Sequence, residues 1–322
     1  MIGRRAFAAA AMAAPAVARA QGAWPDRPLR IVVGFAPGGA TDSSARAVAD
    51  RLSAVLGQPV VVENRSGAGG SIGGAAVAQA RPDGTTFLLD TIVNVVNPFV
   101  LRNLAFDYAR AFVPVTQVSR LPLVLVVRTD LPAANLAQLI AMARVRDNAV
   151  SVGNAGMATA SHLAVALLAA EARVVFTDSF YRGGADAARD VANKTLDAAM
   201  LTLPSANPLI QGATPLARVL AVASGTRTDL APGVPTMAEQ GFPGAVLDEW
   251  TGMFAPTGTP PAIIARMQAA VAQVLGEQAV KERMAALGAE PVGSTPEAFA
   301  DFIAAGRVEA ARLVRAARIE PQ

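Results

Sequence analysis

The strongest constraint on this chain is an alternation of strand and helix signals between residues 29 and 89. Leu29 to Phe35 is an apolar, β-branched run, and Pro37-Gly38-Gly39 breaks it. Ala45, Val48, Ala49, Leu52, Val55 and Leu56 then recur at helical spacing until Gly57. Val60–Val62 returns to strand, Ser71–Ala80 to a small-residue helix, and Phe87–Leu89 to strand. A helix between two strands carries the chain back to its starting edge, so such strands pair in parallel with right-handed crossovers. The expected class is α/β.

The pattern then restarts. Leu123–Val127, Val150–Val152, Val174–Phe176, Ala198–Leu201 and Leu216–Ala223 read as strands. Between them, helices are expected from Asn135 to Ala143, Ser161 to Glu171 and Ala185 to Lys194. Three more helices follow Thr259, cover Gln278–Leu287, and follow Thr295. At roughly 100–200 residues per domain, 322 residues suit two α/β lobes.

Composition narrows the chemistry. With 52% apolar and 16% charged residues the chain can build a large core, which excludes a disordered polyelectrolyte. It has no cysteine, so disulfides, thiolate metal sites and cysteine nucleophiles are excluded. A single histidine, His162, excludes a multi-histidine cage, and neither a cofactor nor a metal is expected. Three of the 28 basic residues, Arg4, Arg5 and Arg19, lie in the first twenty positions, where there is no acid. The remaining 25 balance the 25 acidic residues, so no basic face for nucleic acid is expected.

That basic N-terminus has its own meaning. Arg4-Arg5 precedes an apolar run from Ala6 to Val17, and Ala18-Arg19-Ala20 offers a small-x-small cleavage site. This is the layout of a secretory signal peptide over residues 1–20, too short to span a bilayer. Gly3-Arg4-Arg5-Ala6-Phe7 also fits a twin-arginine signal; the ordinary unfolded export route stays open beside it. The mature protein should start near Gln21 and reside in the periplasm.

Three loops carry the binding chemistry. Phe35-Ala36-Pro37-Gly38-Gly39-Ala40-Thr41-Asp42 lets backbone approach a ligand and aims a helix start at it, which favours anions. A tight turn with Asp42 as a plain helix cap is the rival reading. Gly156 to Leu163 is a second strand-to-helix junction, with hydroxyls on Thr159 and Ser161 beside His162. A histidine at a helix start can serve as a structural hydrogen-bonder or as a catalyst. Tyr181-Arg182-Gly183-Gly184 is the third loop. Ligands of open α/β sheets bind at the carboxyl ends of strands, so helix starts from two facing lobes would clamp a small anion. Gly69-Gly70-Ser71-Ile72-Gly73 matches the nucleophile elbow of serine hydrolases, but the strand ends near Glu63 instead of running into Ser71. A small-residue helix packed close to the sheet is the alternative.

At these residues the chain resembles the Bug-type receptors, the extracytoplasmic solute-binding proteins of tripartite tricarboxylate transporters. The resemblance covers essentially the whole mature chain. It runs through Trp24-Pro25-Asp26-Arg27-Pro28-Leu29-Arg30 and Gly57-Gln58-Pro59-Val60-Val61-Val62-Glu63-Asn64-Arg65. Pro82-Asp83-Gly84-Thr85, Phe112-Val113-Pro114-Val115, Pro235-Thr236-Met237-Ala238-Glu239 and Trp250-Thr251-Gly252 follow in order. It implies a two-lobed periplasmic-binding-protein fold of type II, the Venus flytrap, with a cleft between the lobes. Lobe 1 would be residues 21–126 plus 252–322, and lobe 2 residues 127–251. It implies a monomeric receptor, not an enzyme, that binds a small organic carboxylate and delivers it to the permease subunits of a membrane transporter. A sensory receptor feeding a signalling kinase, or a hydrolase using Ser71, are the alternatives.

Carried over residue by residue, the lobe 1 contacts are Phe35, Pro37, Gly38, Gly39, Thr41 and Asp42, with Thr91 and Asn94 nearby. Those of lobe 2 are Thr159, Ala160, Ser161 and His162, then Tyr181 and Gly183, then Leu201 and Thr202. Three departures fall in lobe 2. Ala158 replaces a usual glycine, Phe180 a proline, and Leu201 stands where many members have aspartate. A leucine there cannot neutralise an ammonium, so the expected ligand is an acid without positive charge, such as a keto, aromatic or branched carboxylate.

Overall fold

The computed structural model describes residues 24–317, 319 and 320. The expected signal peptide and its cleavage site lie outside the described residues. In chain order the first elements are β1 (Leu29–Val33), α1 (Ala40–Leu56), β2 (Val60–Asn64), α2 (Ser71–Ala78), β3 (Thr86–Asp90), α3 (Val93–Val100), α4 (Tyr108–Ala111) and β4 (Phe112–Leu121). Next come β5 (Leu123–Arg128), α5 (Leu136–Val145), β6 (Ser151–Asn154), α6 (Ala160–Ala172), β7 (Thr177–Phe180), α7 (Gly184–Ala192), β8 (Ala198–Thr202), α8 (Leu203–Ile210) and β9 (Ala217–Val222). The chain closes with β10 (Glu249–Pro256), α9 (Pro261–Gly276), α10 (Gln278–Leu287), β11 (Glu290–Pro291) and α11 (Pro296–Ala316).

The strands form two sheets, ordered β11-β4-β10-β3-β1-β2 and β7-β6-β8-β5-β9. β1 pairs in parallel with β2 and β3, as the alternation requires. β10 then runs antiparallel to both β3 and β4. The second sheet repeats this arrangement: β6 is parallel to β7 and β8, whereas β5 is antiparallel to β8 and β9. Each sheet is therefore mixed, because β4, β5 and β10 come from the connections that pass between the sheets. The chain leaves the first sheet at Leu121 and enters the second at Leu123, separated only by Pro122. It returns at Glu249. The expected division after residue 126 falls inside β5, which pairs wholly with the second sheet, and the return precedes the expected residue 252.

Packing follows the apolar pattern. α1, α9 and β1 share a cluster built on Leu29, Ile31, Val48, Leu52, Met267 and Val271. A second cluster crosses between the sheets, from Val32 and Leu88 through Val95 to Leu123 and Leu163. α2 lies against β1 at backbone distance: a Cβ on Gly73 would come within 2.8 Å of the Gly34 Cα. The glycines of this segment serve that close approach. Ser71 opens α2 after a short 3₁₀ turn, Ala68–Gly70, with no strand entering it.

The strand expected at Val174–Phe176 begins instead at Thr177. Val174 and Phe176 are buried in the core and anchor the approach to the edge. The paired residues are the polar Thr177-Asp178-Ser179-Phe180, as an edge strand permits.

Candidate functional site

The binding site is best read from the helix starts. Among the helices whose cap side chain accepts no bond from the first turn, four converge: α1 at Gly39, α6 at Thr159, α7 at Gly183 and α8 at Thr202. The first N–H groups of a helix have no partner inside it. All four cap residues line one cavity of about 50 Å³ between the two sheets. Phe35, Thr41 and Thr91 face it from the first sheet's side, and Ala155, Ser161 and Ser205 from the second's. Four positive dipole ends around so small a volume give it a field that favours an anion.

A larger cavity, about 460 Å³, adjoins the first and shares Phe35, Ala155 and Thr159 with it. Gly67 to Gly70, Met157 and Phe180 to Arg182 complete its wall. Arg182 is its one charged lining residue.

Hydrogen bonds hold the loops in shape. The Ala155 N–H donates to Ser161 Oγ at 2.9 Å, and Thr159 Oγ1 donates to the Gly156 carbonyl at 2.7 Å. The two hydroxyls lie 2.9 Å apart, so Ser161 donates to Thr159 and both protons are committed to the loop. Of the first-turn amides of α6, Ala160 N–H leans on the Glu249 carboxylate, and the Ser161 and His162 amides are what remains for a ligand. On the other side, Asp42 Oδ2 accepts the Gly38 N–H at 2.9 Å and Asn64 Nδ2 donates to Oδ1 at 2.8 Å. The Arg46 guanidinium closes on the same carboxylate at 2.9 Å. Burial pushes the Asp42 carboxyl up, but these bonds outweigh it and hold it below its ordinary range.

The residues expected to bind therefore divide. Phe35, Gly39, Thr41, Thr91, Thr159, Ser161, Gly183 and Thr202 line the smaller cavity, and Tyr181 the larger. Asp42, with Gly38, braces the first loop and lines neither cavity. Pro37 and Gly38 are exposed at the loop's crest. Asn94 is buried beside Asp90, donating to it at 3.3 Å. Ala160 is the first residue of α6. His162 lines neither of these but a third cavity behind α6, which meets the larger one at Met157 and Phe180. Its Nδ1 accepts the Ala158 N–H at 3.1 Å, and Phe180 stands edge-on to its ring. Burial pushes the imidazole down to about 4, so it is a neutral acceptor that fixes the loop. Tyr181 donates to Asp190 Oδ2 at 2.6 Å, and burial first, then that bond, pushes its hydroxyl up to about 12. Leu201 is fully buried in the core of the second sheet with Val124 and Leu203. It lines neither cavity, and this removes the footing for a ligand charge set by Leu201.

Sequence reasoning missed Glu249, the first residue of β10. It lines the smaller cavity and is 7% exposed. Its Oε1 accepts the N–H groups of Trp250 at 2.9 Å and Ile92 at 3.2 Å. Burial, with the charge of Asp90 adding to it, pushes its carboxyl up to about 7. The only available signal was its place before Trp250-Thr251-Gly252, and nothing in an isolated Leu-Asp-Glu string marks a buried acid. Ser205, four residues after Leu201, also faces the cavity and was missed.

Comparison with known proteins agrees with this geometry. The family model described as the tripartite tricarboxylate transporter family receptor matches residues 44–318. The chain is 36% identical over 300 residues to the protein BugT of Bordetella pertussis, covering 92% of this chain and 90% of BugT. Rpa4515 of R. palustris, solved with adipate, superimposes with a TM-score of 0.89 at 34% identity, over 93% of this chain and all (100%) of that one. MatC from Rhodopseudomonas palustris, solved with bound malate, gives 0.84 at 29% identity, over 90% and 99%. Two sheets, a cavity at their helix starts and these likenesses agree: the chain belongs to the tripartite tricarboxylate transporter receptor family, and is a solute-binding receptor and not an enzyme.

Proposed function

We propose that this receptor works in the periplasm, closes its two lobes on a small organic carboxylate and presents it to the permease subunits of a tripartite-type transporter. The observation that carries the reading is the convergence of four uncapped helix starts, from both sheets, on one cavity. A carboxylate there accepts N–H groups and meets four positive dipole ends, and it contacts both lobes, so binding favours the closed form. The adipate and malate bound to two similar proteins are acids of the matching kind. Lobe 1 comprises the described residues up to 122 and from 249 onward, and lobe 2 residues 123–248. The protein acts as a monomer and needs no metal or cofactor for this task.

Native mass spectrometry of freshly purified protein tests the reading by looking for a co-purified small acid. A calorimetric comparison of an acid with its methyl ester goes further. The acid should bind and the ester should not, because the ester cannot supply the charge that the helix starts favour. Equal affinity for both would defeat the proposal.

A further inference from the structure

The smaller cavity presents a conflict of charge. Four helix starts draw an anion into it, yet its wall already includes a carboxylate, Glu249, the one ionisable side chain among its lining residues. The two well-aligned hydrogen bonds that Glu249 accepts, from Ile92 and Trp250, both fall on Oε1. Oε2 takes no well-aligned hydrogen bond among the described residues; the Ala160 N–H at the start of α6 lies near enough to the carboxylate to favour its charge, and Oε2 is not one of the buried polar atoms sealed from solvent. The residue lines a cavity while its other oxygen is tied to the backbone at Ile92 and Trp250, so Oε2 is the acceptor left to a ligand.

Once Glu249 is ionised, that acceptor discriminates between acids; in its protonated form the same group would donate instead. A second ligand carboxylate placed against Glu249 would set two negative groups together in a buried site, at a cost unless a proton is shared between them. An unsubstituted methylene would leave Oε2 without a partner once the cavity closes and excludes water, which is also costly. A hydroxyl or a protonated amine supplies a donor and makes a charge-assisted hydrogen bond. Of the cavity's hydroxyls, Thr159 and Ser161 are committed to their loop and Thr202 Oγ1 donates to Ser205 at 3.3 Å; none of the cavity's hydroxyls donates to Glu249 among the described residues.

We propose that Glu249 sets the ligand class, selecting a carboxylate that carries a hydroxyl or protonated amine within reach of its Oε2 over the unsubstituted acid. This rests on the receptor reading above and names the class of acid it takes. The ligand's carboxylate sits on the helix starts, and its donor group turns toward β10.

Matched acids titrated calorimetrically into the purified protein at about pH 8.5, where Glu249 is ionised, test this: succinate, malate and aspartate, then propionate and lactate, then phenylacetate and mandelate. The donor-bearing member of the best-binding set should bind about tenfold tighter or more, the difference one charge-assisted hydrogen bond makes. Glu249→Gln keeps an oxygen for Ile92 and Trp250 but turns an N–H₂ donor toward the cavity. It should shrink or reverse that ranking in favour of the unsubstituted acid. Donor-free acids binding as tightly as their partners to the unaltered protein would overturn the inference and leave the receptor reading standing. So would a ranking unchanged by Glu249→Gln. Failure of every acid to bind the unaltered protein would defeat both readings. The ranking in the unaltered protein needs no variant, so a misfolded Glu249→Gln protein could not protect the inference.

Discussion

Asp90 and Glu249 are two buried carboxylates linked through the start of α3: Glu249 Oε1 accepts the Ile92 N–H, two residues beyond Asp90, at 3.2 Å. They lie on adjacent strands, with Asp90 paired to Gly252 across from β10. Neither forms an ion pair among the described residues. Asp90 is 1% exposed, and its Oδ1 is buried without a partner. Burial pushes both carboxyls up to about 7.

This pair predicts a basic-side loss of stability. A carboxyl raised from its ordinary 4.5 to about 7 stays protonated in the folded protein while the unfolded chain has already released its proton. Its contribution is full below the unfolded value and is lost as pH rises through the folded one. The melting temperature of the ligand-free protein should therefore fall between about pH 5 and about pH 8. Glu249→Gln cannot ionise, and should melt higher than the unaltered protein at the upper end but not at the lower. A parallel shift at both ends, measured by thermal denaturation, would remove Glu249 as the cause.

His162 predicts the opposite limb. Its imidazole is pushed by burial from 6.5 down to about 4, so the folded protein resists a proton that the unfolded chain accepts. That contribution is present above the unfolded value and disappears as pH falls through the folded one. His162→Asn retains an acceptor near the Nδ1 position for the Ala158 N–H, and cannot be protonated in this range. It should flatten the acid limb of the melting curve and leave the basic limb unchanged.

Asp42 predicts a coupling between the loop and binding. Its carboxylate gathers Gly38, Arg46 and Asn64 around the turn that presents Gly39 and Thr41 to the cavity. Asp42→Ala should cost about 2 kcal/mol of stability, the loss of buried charge-assisted bonds. It should also weaken acid binding, although Asp42 itself lines neither cavity. Chemical denaturation and ligand titration of the same variant would check both effects. Unaltered binding would mean the loop keeps its shape without the carboxylate.

Much of this was legible in the sequence, because it is local. The alternation that set the parallel core, the glycine turn before α1 and the hydroxyls before α6 all declare themselves within a few residues. β4 and β10 did not, since they belong to crossings between sheets and their role depends on partners far along the chain. The site divided in the same way. Helix starts such as Gly39 and Thr159 were readable, and both line the cavity between the sheets. The orientation of His162 and Leu201 was not, because a helix or strand pattern does not say which of two surfaces faces a cleft. Glu249 was hidden for a third reason: its burial is created by Asp90 and α3, 157 residues away in sequence from the Ile92 amide it accepts.

The last prediction separates folding from binding with two glycines. Gly73 packs on backbone, where an added Cβ would lie 2.8 Å from the Gly34 Cα and 3.1 Å from its nitrogen. Neither atom belongs to a side chain that could swing away. Gly73→Ala should therefore cost about 1–3 kcal/mol of stability through overpacking, with little effect on the affinity of the molecules that fold. Gly39 is different. Its φ of −73° and ψ of 170° suit any residue, and an added Cβ meets only the Ala36 carbonyl, at 3.3 Å. Gly39 is buried at the cavity wall, and with its added Cβ meeting no closer atom than that carbonyl, Gly39→Val should fold at a cost of about 1 kcal/mol. Yet Gly39 lines a cavity of only about 50 Å³, and it caps one of the four helices that start on it. The valine methyl groups would occupy the space of the ligand's carboxylate and cover the first amides of α1. Binding should fall at least tenfold, about 1.4 kcal/mol, while the denaturation midpoint hardly moves. If Gly39→Val bound acids normally, the first turn of α1 would not be part of the binding site, and the anion would be held by the second lobe alone.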